Sequence, residues 1–296
     1  MLKRTKGEKI FAVINVIFLT GLALVCLLPI WNLLAVSLSA KNYVQANMVS
    51  LAPLGFTTSN YHYMLHESSF WEAFIVSAKR VFLGVAVNLL FTICAAYPLS
   101  KRKDQFGARG FYAAFFLIPM VFTGGLIPTY LVVSNVGLID SIWALVLPEA
   151  LEMYYVLLMM NFFRGIPGEI EEAALVDGAS WLTTLVKVYL PLSLPSLATI
   201  TLYALVHHWN AYFDGMIYIN NTHNYPLMTY LRSVIEGFDT SDIRPDEIAA
   251  DPILAQLTGR SVKAAGIILC TVPMAVIYPF LQKFFVHGLT VGSVKG

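Results

Sequence analysis

The sequence predicts an all-α integral membrane protein with six transmembrane helices, on three observations. Apolar residues make up 57% of the 296 and charged residues only 12%, against roughly 45–50% and about 25% in soluble proteins. Six charge-poor runs reach or exceed the roughly 20 residues that a helix needs to cross about 30 Å of hydrocarbon. The formal net charge is +1, and no dense Lys/Arg run supplies the footprint of nucleic-acid recognition. This balance excludes a water-soluble enzyme. Cys26, Cys94 and Cys270 all sit in apolar stretches and read as small hydrophobes rather than a disulfide or metal set.

The first span, 10–40, follows Lys3, Arg4, Lys6 and Lys9. Its apolar run far exceeds the roughly 7–15 residues of a secretion signal's core, so it reads as a retained anchor. The second covers 81–100 and is closed by Lys101, Arg102 and Lys103. The uncharged stretch 110–139 is too long for one plain span. Thr123, Gly124, Gly125 and Pro128 break it, giving a third span over 110–128 and a surface-lying remainder. The fourth, 141–163, contains Glu149 and Glu152, the fifth, 188–213, contains His207 and His208, and the sixth covers 264–282.

These spans sort 12 of the 19 basic residues onto the side of the two termini, which places both ends in the cytoplasm. Lys79 and Arg80, at an outer helix end, are expected to snorkel outward. Loops 41–70 and 220–263 fall on the other side and are long enough to pack as small external elements. With no soluble segment, 1–296 is expected to be a single transmembrane domain.

The cytoplasmic loop 165–187 is the most informative stretch. Pro167 suits the first turn of a helix, Glu169, Glu171 and Glu172 favour its positive end, and Gly178 can take the left-handed conformation that ends it. A second helix is predicted from Ser180 until Leu190-Pro191 bends the chain into the fifth span. Ala173, Ala174, Gly178 and Ala179 leave a surface with little side-chain bulk, open to another protein's backbone. Spacing alone allows an ordinary interfacial amphipathic helix as well.

Glu172-Ala173-Ala174, Asp177-Gly178-Ala179 and Leu190-Pro191, with Pro195 four residues on, resemble the EAA loop of the inner-membrane permeases of bacterial ABC importers. Leu185 and Val188 stand where an aromatic residue and an isoleucine are common, and both keep the apolar character. Phe162-Phe163-Arg164-Gly165-Ile166-Pro167, Trp209-Asn210 and the glycine-rich ending from Gly288 extend the resemblance to the second permease subunit of maltose and oligosaccharide importers. The long acidic loop before Arg260 is similar to the branch that handles complex and uronate-containing saccharides.

The resemblance implies a type I importer permease fold in the bacterial inner membrane, with a coupling helix that sits in an ATPase subunit. Glu172, Ala173, Ala174, Asp177 and Gly178 are then coupling residues, and Val294, Lys295 and Gly296 match a tail that reaches between the ATPases. The implied partners are a second, homologous permease, two ATP-binding subunits, an external solute-binding protein and lipid. A frayed terminus is the plain alternative for the tail.

No G-x-x-x-x-G-K-[ST], H-E-x-x-H or G-x-S-x-G pattern occurs, so catalytic residues and a resident cofactor are not expected. ATP and magnesium would belong to the partner ATPases. Adjacent histidines on a helix point about 100° apart, which makes His207 and His208 a poor metal pair.

Polar groups within spans usually face protein or water. Glu149 and Glu152, three apart, are expected on one helix face, and Trp209, Asn210 and Tyr212 add groups suited to sugars. This set reads as a substrate path, with helix-to-helix adhesion as the alternative. A permease for a non-sugar solute, an ion-driven carrier with Glu149 as its acid, and a membrane-embedded enzyme are the rival functions.

Overall fold

The computed structural model describes residues 5–238 and 251–293, with side chains described up to 280 except that of Lys6. Among these, three helices are each long and apolar enough to cross a membrane: Gly7–Ser37, Ser68–Ser100 and Gly259–Phe280. Three bent helix pairs bring the number to six if each pair is one span. The chain divides into two compact units, one of 1–68 with 231–272 and one of 69–230 with 273–296.

In the first unit, α1 (Lys6–Ser37) begins at a capping box in which Thr5 and Glu8 bond each other's backbone N–H. From Ile10 to Trp31 its large apolar side chains are exposed all round, as for a helix whose surroundings are lipid or other protein. Its C-terminal end packs: Trp31 and Asn32 donate to the carbonyls of Leu51 and Ser50, at 2.7 and 2.6 Å, and Ala35 and Val36 join Val44, Val49 and Ala264 in a small core. The loop 41–70 folds into α2 (Lys41–Gln45) and α3 (Ser59–His66). Asn60 donates to the Ser37 carbonyl at 2.9 Å, satisfying one of the carbonyls that a helix end leaves open. Lys41 reaches the Ala255 carbonyl at 2.9 Å, and Arg260 bonds Asn47, so both expected external loops contribute packed structure to this unit.

In the second unit, α4 (Ser68–Ser100) begins well before the predicted 81. Its buried face runs through Ala73, Ser77, Arg80, Gly84, Asn88, Thr92 and Ala96, the small and polar lining on which membrane helices approach closely. A Cβ on Gly84 would collide with the His208 ring. Lys79 is exposed, but Arg80 does not snorkel. It is fully buried, and Nη1 and Nη2 both engage the Asp214 carboxylate, with Nη1 3.0 Å from Oδ1.

The next spans are broken helices. α5 (Arg109–Val121) stops before the expected 128, and α6 (Leu126–Asn135) leaves at 115°. Thr123, Gly124 and Gly125 fall in the break, whereas Pro128 lies inside α6 within its first turn, where no helical donor is lost. The predicted fourth span is not one helix. Two single turns, Ile142–Leu145 and Leu147–Glu149, precede α7 (Met153–Gly165) at 51°.

After α7 come α8 (Gly168–Val176), α9 (Trp181–Thr184), one wide π turn over Leu185–Tyr189, and α10 (Leu190–Leu192). The chain then turns 80° into α11 (Leu194–Asn210). The bend falls at Ser193, past Leu190-Pro191, and the span ends at Asn210 rather than 213. The π turn and α10 carry the chain past the prolyl residue, which occupies a first-turn position. α12 (Phe213–Tyr218) and α13 (Leu227–Gly237) follow, and α14 (Gly259–Ser293) ends the described chain. Ala96, Tyr97, Val156, Met159, Phe163, Tyr189, Ile200 and Ala204 form the main core of this unit.

Removing one partner of a buried ion pair strands the other charge, at a cost of about 3–5 kcal/mol. Asp214→Ala is therefore expected to lower the melting temperature in detergent by that measure of stability. A variant as stable as the wild type would show that the Arg80 pair does not hold this unit together.

Candidate functional site

Two regions of the second unit carry the functional residues. The first is the α8–α9 turn. Pro167 caps α8 instead of starting it, one residue earlier than predicted, and Glu169 and Glu171 lie in the first turn. At the other end Gly178 has φ +80°. Its N–H reaches the Leu175 carbonyl, and the Ala179 N–H reaches that of Ala174, both at 3.0 Å. This is a Schellman ending, and its left-handed residue favours glycine. Ser180 then caps α9 by accepting from the Thr183 N–H at 3.2 Å, as expected.

Exposure separates the residues of this turn. Glu172, Ala173, Asp177 and Gly178 are exposed and Ala174 is half-buried. Around them stand Val176, 87% exposed, Leu182, 69% exposed, and Trp181. The turn thus offers small and apolar groups outward. Its one inward acid is Glu171, which the sequence reading did not single out. Glu171 Oε1 accepts from Lys101 Nζ at 2.8 Å, and Oε2 accepts from the Tyr189 hydroxyl at 2.6 Å. Lys101 also lies over the rings of Tyr97 and Tyr189, at 4.1 and 4.0 Å. Burial pushes its amine below the ordinary lysine range, and the Glu171 carboxylate pulls it partly back. In the sequence Lys101 is one of three consecutive basic residues, and nothing distinguishes the one that turns inward. Val294, Lys295 and Gly296 lie outside the described residues.

The second region is a cavity of about 640 Å3, lined by Glu149, Glu152, Tyr154, Tyr155, Tyr203 and His207, with Asn88 and Tyr278. It unites Glu149 and Glu152, but not on one helix face. Pro148 lies within the short turn Leu147–Glu149 that Glu149 ends, while Glu152 is the N-cap of α7 and accepts from the Tyr154 N–H. Glu149 Oε2 is 2.6 Å from His207 Nε2. The neighbouring ring turns the other way, and His208 Nε2 lies 2.8 Å from Asn88 Oδ1. Asn88 Nδ2 also donates to the carbonyls of Glu149 and Ala150, at 2.6 and 3.0 Å. Trp209, Asn210 and Tyr212 do not line this cavity. Trp209 is buried edge-on to Phe74 at 5.9 Å, and Asn210 and Tyr212 are exposed at and beyond the end of α11. The sequence reading passed over Asn88, although it is the one amide within 81–100, and the tyrosines carried no signal apart from the many aromatic residues around them.

This architecture, an outward-turned alanine-rich turn on a body of broken spans, is that of a transport-system permease. The chain belongs to the family of binding-protein-dependent transport system inner membrane components, whose pattern matches residues 88–291. It is 36% identical to Protein LplC of Bacillus subtilis (strain 168), over 99% of this chain and 97% of that protein. It is 35% identical to the polygalacturonan/rhamnogalacturonan transport system permease protein YtcP of the same organism, over 94% and 96%. Among solved structures it resembles a chain of a bacterial ABC transporter involved in the import of the acidic polysaccharide alginate. That match has a TM-score of 0.86 and 31% identity and covers 96% of this chain and 100% of that one.

Asn88→Leu would strand the His208 ring nitrogen and two backbone carbonyls, each orphaned group costing about 1–3 kcal/mol. The expected result is a clear drop in detergent melting temperature. An unchanged value would mean that neighbouring groups or water already satisfy those atoms.

Proposed function

We propose that the chain is one of two permeases of an ATP-driven importer that carries an oligosaccharide, uronate-containing in the closest reading of its relatives' names, across the bacterial cytoplasmic membrane. The observation that carries this reading is the α8–α9 turn. Glu172, Ala173, Ala174, Asp177 and Gly178 form a protruding surface of low bulk, ready to seat in another subunit. In this reading that subunit is one of two ATPases, which hold the ATP and magnesium, and both chain termini lie on the same cytoplasmic side. Val294, Lys295 and Gly296 would add a second contact with the ATPases. A homologous permease and an external solute-binding protein complete the assembly.

The substrate reading draws on the names of YtcP and the alginate transporter, and on the chemistry of the cavity. Tyrosine rings can stack on the apolar faces of sugars, and carboxylates and amides bond their hydroxyls. Glu149, Glu152, Tyr154, Tyr203 and His207 are accordingly the proposed path residues. Trp209 is assigned to packing, and Asn210 and Tyr212 to the path's outer rim. ATP binding would draw the coupling helices of the two permeases together and rock the spans from inward-facing to outward-facing, with solute handed over from the binding protein.

Glu172→Lys and Gly178→Asp are each expected to reduce uptake at least tenfold while the protein still inserts. The second adds a strain of about 1 kcal/mol or more at a left-handed position. Normal uptake by both would remove the coupling assignment. Uptake should also persist when the proton gradient is collapsed and stop when ATP is depleted. The opposite pattern would favour an ion-driven carrier.

A further inference from the structure

The coupling surface needs a stiff connection to the spans if its displacement is to move them. Glycines flank α8, with no side chains to tie it to the spans. Gly165 and Gly168 precede or start it, and Gly178 follows. Much of its outer surface is exposed. Glu171 is the one α8 side chain that is buried, and its two carboxylate oxygens are both taken by named partners.

Those partners come from separate elements. Lys101 is the first residue after α4, and Tyr189 ends the π turn. The Tyr97 hydroxyl, on α4, donates to the Trp181 carbonyl at the start of α9, at 3.2 Å. The Tyr97 ring stands 5.1 Å from that of Tyr189 and 6.0 Å from that of Phe163 on α7. With the Trp181 ring 5.5 Å from Lys101 Nζ, four elements, α4, α8, α9 and the π turn, meet at one ammonium and one carboxylate, each residue only 5% exposed. Apolar residues of equal volume often serve stability as well as a buried ion pair does. What a charged pair in a ring cage adds is fixed geometry, because any separation strands both charges at once.

We propose that Lys101 and Glu171 are positioning residues that pin α8 to the end of α4, so that the coupling surface and this span move as one body during transport. This rests on the coupling reading given above and adds the route by which motion leaves the surface. Charge and ring contact together define the pin. Arginine at 101 keeps both, methionine keeps bulk alone, and Glu171→Gln keeps the shape but removes the charge.

The test uses the full chain assembled with its permease, ATPase and binding-protein partners, with the native cysteines replaced and spin labels at Val176 and Lys103, both exposed. Pulsed electron paramagnetic resonance then reads the distance from α8 to the end of α4, without nucleotide and after trapping with ATP and vanadate. The expected wild-type result is a narrow distribution that shifts by less than about 2 Å between the two states, the scale of small helix adjustments. In Lys101→Met and Glu171→Gln the distribution should broaden at least twofold or shift by about 5 Å, one helical turn, and Lys101→Arg should restore the narrow one. A wild-type shift of about 5 Å or more would overturn the proposal. So would variants as narrow and invariant as the wild type. If Lys101→Met does not insert, Glu171→Gln decides the matter by the same criteria. Failure of the coupling reading itself would show separately, as ATPase subunits that bind Glu172→Lys complexes and wild type alike.

Discussion

Inside hydrocarbon a polar group has only protein to bond, and the buried face of α4 shows how this chain meets that demand. Arg80 finds Asp214, Asn88 finds His208 and two carbonyls, and Ser77 accepts from the Leu227 N–H at 2.7 Å. Gly84 leaves the space that the His208 ring fills. Remove the small residues and the helices separate; remove the partners and the polar groups are stranded. The break before α7 meets the same demand, since the carbonyls of Glu149 and Ala150, where the turns give way to α7, are the ones that Asn88 satisfies.

Most of this order is visible in the sequence where a single strong rule acts. Length and hydropathy find the apolar helices but not their bounds, since α4 begins at Ser68 and the run 141–163 is not one helix. Thr123 to Gly125, by contrast, locate a break, and Pro167, Gly178 and Ser180 bracket the α8–α9 turn to within one residue. Legibility fails where tertiary partners decide. A charge run ending a span looks the same whether or not one lysine turns inward, so the sequence names Lys101 and Glu171 but not their pairing. Arg80 was assigned to the solvent because its partner lies 134 positions away. Glu149 and Glu152 share a cavity by way of a capped helix start, which no helical period predicts, and the 80° turn at Ser193 sits past the residue pair that best signals a bend.

The two functional regions differ in chemistry as their tasks require. A surface that must seat in another subunit gains from low bulk and exposed apolar groups, and the α8–α9 turn has both around one buried anchor. A passage for a hydroxylated solute gains from rings and exchangeable hydrogen bonds. The cavity's carboxylates, imidazole and phenols supply them.

The long apolar stretch of α1 stands apart from this packing. From Ile10 to Trp31 its large apolar side chains are exposed, so wherever lipid surrounds them they carry hydrophobicity without shape, and leucine, isoleucine, valine or phenylalanine should serve there almost interchangeably. In α4, by contrast, a methyl added at Gly84 would run into the His208 ring and force it to shift. Sequence drift should therefore run faster along the exposed stretch of α1 than along the buried face of α4, although both helices are long and apolar enough to cross a membrane.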